Sequence, residues 1–261
     1  MRQIWLALGC MIGLLGGCNE DRIASICEKN PELCTDLNDD GYCRLERSNV
    51  IRNRYYQLQT PSDTGVYHLM KSLEAYLVCI EKTTLIEYSE RKERKNNRVE
   101  GMLAARRQLE SLDTQTRASH EPHLLLWHWT NNGSQEAKAA FLRQQGSPAL
   151  EEPELQLALA NHYRTIDTSK SIQILHHALS LYQAEEEVDI MIPTALTSLY
   201  MKQQAYPQAY LWALVTSQLQ GSKGGGQSPY IQLTEQQKET LEEQAEQILD
   251  QLHQGKYQPS R

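Results

Sequence analysis

Asp36-Leu37-Asn38-Asp39-Asp40-Gly41 sets side-chain oxygens at alternate positions ahead of a glycine, which is how a calcium-binding loop opens. The chemistry would be hard-cation coordination by Asp36, Asn38 and Asp40, with the carbonyl of Tyr42 at the next ligand position. The twelfth position, where a bidentate carboxylate completes such a shell, is Arg47, and Glu46 stands one residue early. An Asx-rich turn held between Cys34 and Cys43 is therefore the competing reading. Cys27, Cys34, Cys43 and Cys79 point to two disulfides in an oxidising compartment, with three connectivities open. Because the first three lie close together, full pairing requires Cys79 to bond back to one of them and so pin the arm to its own helix. A buried free Cys79 is the alternative. No C-x-x-C spacing supports zinc. His120, His123 and His128 flank Trp127 and Trp129, but Pro122 disturbs the first turn and no acid completes a strong metal set. Ser89-x2-Lys92 has the spacing of a nucleophile pair without the motifs that accompany one.

The amino terminus carries chemistry of another kind. Arg2, an apolar run from Ile4 to Leu15, and Leu15-Gly16-Gly17-Cys18 follow one another. The run is too short to cross a bilayer, which takes roughly 20 helical residues. This segment resembles a bacterial lipoprotein signal. The resemblance implies cleavage before Cys18 and acylation of Cys18, leaving a protein held on a membrane by its acyl chains. In such lipoproteins an aspartate after the cysteine favours the inner membrane. Asn19 stands there, so the resemblance implies the periplasmic side of the outer membrane.

These residues need elements to position them, and the composition favours helices. One Phe stands against thirteen Tyr, and Leu, Ala, Gln and Glu are abundant. Apolar residues at Val66, Leu69, Met70, Leu73, Leu77, Ile80 and Leu85 predict an amphipathic helix over 64–88, and a second helix is expected from Val99 to Ser111. Between them, the segment carrying Arg91, Lys92, Arg94, Lys95 and Arg98 reads as a turn or as a solvated extension of the first helix, or as a surface for anionic lipid or glycan.

Behind this hairpin the sequence repeats. Leu125-x3-Trp129 precedes Ala137-x3-Phe141, Leu159-x3-Tyr163 precedes Ser171-x3-Leu175, and Leu196-x3-Tyr200 precedes Ala209-x3-Ala213, so the aromatics recur after 34 and 37 residues. Such a period, with a small residue eight or nine positions after the aromatic, reads as stacked helical hairpins. The stretch 121–220 resembles tetratricopeptide repeats, and Ala209-Tyr210-Leu211-Trp212-Ala213 the related Sel1 type. No unit carries the full consensus, since Leu126 is bulky and the closing proline is absent. An irregular helical bundle satisfies the same periodicity. The resemblance implies a partner groove lined by His123, Trp127, Asn131, Asn161, Arg164, Ser198 and Lys202, with Leu157, Thr165 and Thr194 at the remaining positions. Gly221 to Pro229 reads as a loop. Thr234 and Gln237 then open a last helix, whose apolar stripe of Leu241, Ala245, Ile248, Leu249 and Leu252 suits a solenoid cap.

The expected architecture is thus all-α: a leader (1–17), a lipid-anchored cysteine-rich arm (18–48), a helical hairpin (49–118), tetratricopeptide-like repeats (119–220), a glycine-rich loop (221–233) and a capping helix (234–254). A formal net charge of −7, lowered by one unit when Arg2 leaves with the leader, argues against nucleic-acid partners. Asn30-Pro31-Glu32-Leu33-Cys34, Leu37-Asn38 and Asp40-Gly41-Tyr42-Cys43-Arg44, taken with the repeats, resemble an uncharacterised family of Gram-negative envelope lipoproteins. That resemblance implies location and no activity. The function expected is a non-enzymatic adaptor without cofactor that recruits an envelope protein or peptide. The alternatives are a murein-active enzyme using an acid such as Glu100 or Glu121, and a calcium-dependent structural module.

Overall fold

The structure, a computed structural model, describes residues 22–86, 93–222 and 233–259. The leader with Cys18, the Ser89-Lys92 pair, Arg91 and most of the glycine-rich segment lie outside the described residues. Within them are eleven α-helices, two short 3-10 turns and no strand. The chain divides into two compact units, residues 1–124 and 125–261, with the helix Pro122–Asn132 running across the division.

The first unit contains α1 (Ile23–Lys29), α2 (Arg44–Gln59), α3 (Asp63–Thr84) and α4 (Glu93–Gln115). Ser62 starts α3, its Oγ accepting a hydrogen bond from the amide of Gly65. Leu69, Leu73 and Ile80 enter the core as their spacing requires, joined by Tyr67 and Tyr76, whereas Leu85 lies beyond the helix and is exposed. α4 begins at Glu93, inside the segment expected to be a turn, because Arg98 is not a surface residue. Its side chain is fully buried.

The arm and the helices share one core. Ile26, Cys34, Leu37 and Cys43 pack with Val50 and Ile51 of α2 and with Leu69, Leu73, Tyr76, Ile80 and Ala105 of α3 and α4. Two disulfides close it, Cys27–Cys34 and Cys43–Cys79. The second fastens the loop to α3, so Cys79 does bond back, and its partner is Cys43.

The second unit is built of helix pairs. The remainder of α5 (Pro122–Asn132) is followed by α6 (Gln135–Arg143), α7 (Pro153–Tyr163) by α8 (Thr168–Ser180), and α9 (Met191–Lys202) by α10 (Tyr206–Leu219). Ser134 and Asp167 cap α6 and α8 through the amides of Ala137 and Lys170. Each pair uses the small residue predicted for it: Ala137, Ser171 and Ala209 are all buried. Ser171 Oγ donates to the carbonyl of Ala160 at 2.8 Å, a contact that only a small side chain permits between the two helix axes. The rings of Trp129 and Phe141 meet at 5.7 Å. The last helix, α11 (Glu235–His253), opens on the predicted capping box of Thr234 and Gln237 and lays Leu241, Ala245 and Leu252 into the same core. Behind it Gly255, at φ +62°, turns the tail so that Tyr257 is buried. A Cβ at Gly255 would stand 2.5 Å from the amide nitrogen of Ala184.

Candidate functional site

The loop from Asp36 to Tyr42 is positioned by helices on both sides, and arginines occupy the places of a cation. Arg54 of α2 meets Asp36 in a bidentate pair at 2.6 and 2.8 Å, and also reaches the carbonyl of Leu33 and the side chain of Gln108. Arg98 of α4 pairs through Nε with Asp40 Oδ2 at 2.5 Å, donates to the carbonyl of Thr83, and stacks 4.1 Å above the Tyr42 ring. The side chains of Arg98 and Asp40 are 0% and 4% exposed. Asn38 Nδ2 donates to Asp40 Oδ1 and to the Tyr42 carbonyl, and its Oδ1 accepts from the Tyr76 hydroxyl at 2.7 Å.

Burial alone would raise the Asp40 carboxyl. Hydrogen bonds from Asn38, Arg98 and the Tyr42 amide, with the charge of Arg98, outweigh it and hold the group below its ordinary range. Burial pushes Tyr76 up to about 12, so it stays a neutral donor. All four atoms expected to ligate calcium thus carry hydrogen bonds from the protein, and Arg47 at the twelfth position donates to the Cys34 carbonyl. The loop is an Asx-rich turn neutralised by Arg54 and Arg98. In this geometry the carboxylates are satisfied by two guanidinium groups, which favours the Asx-turn reading over the calcium one. Gly101 permits the arrangement, because a Cβ there would lie 2.8 Å from Tyr76 Oη and 3.0 Å from the Asn38 amide.

The acids and histidines considered for catalysis or metal are placed differently. Glu121 is a helix-capping group: Oε2 accepts from the Leu124 amide, and Oε1 meets His123 Nδ1 at 2.8 Å. Burial opposes ionisation, but the His123 hydrogen bond and the Leu124 amide prevail and lower the carboxyl. Such a group lacks the proton that a general acid must donate. His128 Nδ1 bonds Asn132 at 3.0 Å. Among the described residues, the group of potential ligands close enough to share a metal ion is Cys43, Glu46 and Cys79, and its two sulfurs are bonded to each other.

The groove residues separate into two sets. His123 and Trp127 are 3% and 5% exposed, so neither presents a surface to a partner. His123 belongs to the first unit, where its ring lies 4.9 Å from Tyr67. The Glu121 pair and the Tyr67 ring are its neighbours there. Asn131, Asn161, Arg164, Ser198 and Lys202 are exposed. Lys202 Nζ donates to the carbonyl of Arg164 at 3.4 Å, which brings the carboxy-terminal ends of α7 and α9 together.

One constellation escaped the sequence. His176 of α8 bonds Tyr257 through Nδ1 at 2.6 Å and Tyr200 through Nε2 at 3.0 Å, with Trp212 edge-on at 5.3 Å. Burial lowers His176 to about 4, so the ring is neutral near pH 7. Tyr200 was visible as a repeat aromatic. His176 and Tyr257 are 81 residues apart, and no local spacing signals their meeting.

No described helix is long and apolar enough to cross a membrane. No curated protein and no solved structure matches the chain. A family model described as "Protein of unknown function (DUF2989)" matches residues 15–214, most of the chain, and the protein belongs to that family.

Proposed function

We propose that this protein is a non-enzymatic adaptor, lipid-anchored through Cys18 on the periplasmic side of the outer membrane, whose helical repeats stack as a solenoid and hold an envelope protein or peptide. The observation that carries the reading is the row of exposed polar side chains on the first helices of successive pairs. Asn161 and Arg164 stand on or just after α7, and Ser198 and Lys202 stand on α9, joined by the Lys202 to Arg164 contact. Amides and cations in a row suit capture of an extended peptide through its backbone carbonyls and acidic side chains. Two disulfides fit an oxidising compartment. The family match begins at residue 15, so Cys18 falls inside it.

The test has two arms. Metabolic labelling with palmitate should mark wild type and not Cys18→Ser. A photo-crosslinker at Ser198 in intact cells should yield one defined adduct, lost in an Asn161→Ala, Arg164→Ala, Lys202→Ala variant of unchanged stability. Absence of labelling removes the anchor. An adduct that persists in the triple variant removes the groove.

A further inference from the structure

A cleft of about 330 Å³ lies wholly within the second unit, between α8, α9, α10, α11 and the tail. Its aromatic side is formed by His176, Tyr200, Trp212 and Tyr257, and its remaining polar lining is glutamine: Gln208, Gln244, Gln247, Gln251 and Gln258. No charged residue lines it among the described residues. We infer that this cleft is a binding site for a neutral saccharide, one or two sugar rings in size, seated against the Tyr200–His176–Tyr257 array and held by the glutamine amides.

The protons of the array supply the first argument. A neutral imidazole has one N–H and one lone pair. Between two tyrosine hydroxyls it must donate to one and accept from the other. The tyrosine that receives the N–H keeps its own hydroxyl proton, while its counterpart keeps only acceptor capacity. Neither phenol has a further hydrogen-bond partner among the described residues. Burial raises both phenols above their ordinary range, so both remain protonated. The cleft therefore offers one fixed donor and one fixed acceptor on opposite sides of a rigid ring.

The glutamines supply the second. Each amide presents a donor and an acceptor together, the pattern of a sugar hydroxyl or N-acetyl group. Gln244, Gln247 and Gln251 recur at three- and four-residue intervals on α11, which puts them on one face. A charged ligand would find no counter-ion in this lining and would lose its hydration uncompensated. The volume is at the low end for small-molecule pockets, which suits sugar rings better than an extended chain.

The test is calorimetric titration and saturation-transfer NMR of the purified full chain with N,N′-diacetylchitobiose and with maltose, up to millimolar concentrations. The expected result is saturable binding of at least one. A Gln247→Ala, Gln251→Ala variant should weaken it about tenfold or more, since hydrogen bonds of about 1 kcal/mol each are removed. Both side chains are exposed, and the thermal midpoint should not move. Tyr200→Phe should weaken it as well. Lys202→Ala, which touches the proposed peptide row and not the cleft, should leave it unchanged, so this site can fail without the adaptor reading and the reverse. No binding of either sugar overturns the inference. So does binding undiminished in the glutamine variant, or occupancy by a neutral peptide with neither sugar competing.

Discussion

Removing the guanidinium of Arg98 should open the first unit more than any surface change can. In Arg98→Met the aliphatic length is kept, but the Asp40 carboxylate, 4% exposed, loses its counter-ion. The Thr83 carbonyl loses a donor, and the Tyr42 ring loses the cation above it. Breaking one side of a buried pair costs about 3–5 kcal/mol, because the remaining charge stays desolvated. At about 1.4 kcal/mol per decade, the opening equilibrium rises by roughly two to three and a half powers of ten. Hydrogen-exchange mass spectrometry of the oxidised chain at neutral pH reads this directly in peptides from α3 and α4, while peptides from α7 to α10 report the second unit. Asp40→Asn leaves the Arg98 cation, 0% exposed, without its counter-ion and should cost a similar amount. The double variant should cost less than the two single effects added, because the pair is coupled. If Arg98→Met speeds exchange in α3 and α4 by less than tenfold, or if the cycle is additive, the pair does not hold this unit together and the account of the loop is wrong. Acid gives the same argument its sign. Asp40 is lowered on folding, so its stabilisation is full above the ordinary carboxylate range and fades as pH falls through the folded value; Asp40→Asn should flatten that loss.

Three further outcomes follow from the same geometry. Calcium and chelator should give equal thermal midpoints, because the loop's oxygens are already bonded; a rise of several degrees with calcium would restore a metal site. Replacing Cys43 and Cys79 by Ser should cost more than replacing Cys27 and Cys34. Loops of 36 and 7 residues correspond to about 4 and about 2 kcal/mol of chain entropy, and urea midpoints in the reverse order would contradict this. The second unit, whose Trp127, Trp129 and Trp212 report on it by fluorescence, should lose stability as pH drops from about 6.5 toward 4. Only the unfolded His176 takes up a proton there, at a cost of up to about 3 kcal/mol. His176→Gln should remove most of that slope, and an unchanged profile would refute the neutral ring.

Much of the helical architecture was legible because its signals are local. Thr234 with Gln237, and the small residues Ala137, Ser171 and Ala209 behind their aromatics, lie within one or two elements and act there. α2 was missed because Arg44–Gln59 has no apolar stripe; Val50, Ile51 and the guanidinium of Arg54 are what it buries. Arg98 was misread for a related reason. In sequence it ends a run of cations, and only the fold brings Asp40 to it across 58 positions. His123 and Trp127 are buried where the repeat register puts them in the groove, and a repeat alignment carries no signal for burial of that kind. The His176 array could not be read at all, since one of its members arrives on the tail after the turn at Gly255.

The order of the two cystine bridges bears on how the chain is made. Cys27 pairs with Cys34, and Cys43 with Cys79, so the four cysteines of the described residues are joined in consecutive pairs. With Cys18 withdrawn by the acylation proposed above, a chain oxidised from its amino terminus as it emerges reaches this pattern by joining the remaining four in order of appearance. On that reading, consecutive pairing asks for an oxidase and no reshuffling, and a strain lacking only the disulfide isomerase should accumulate the protein at its normal level.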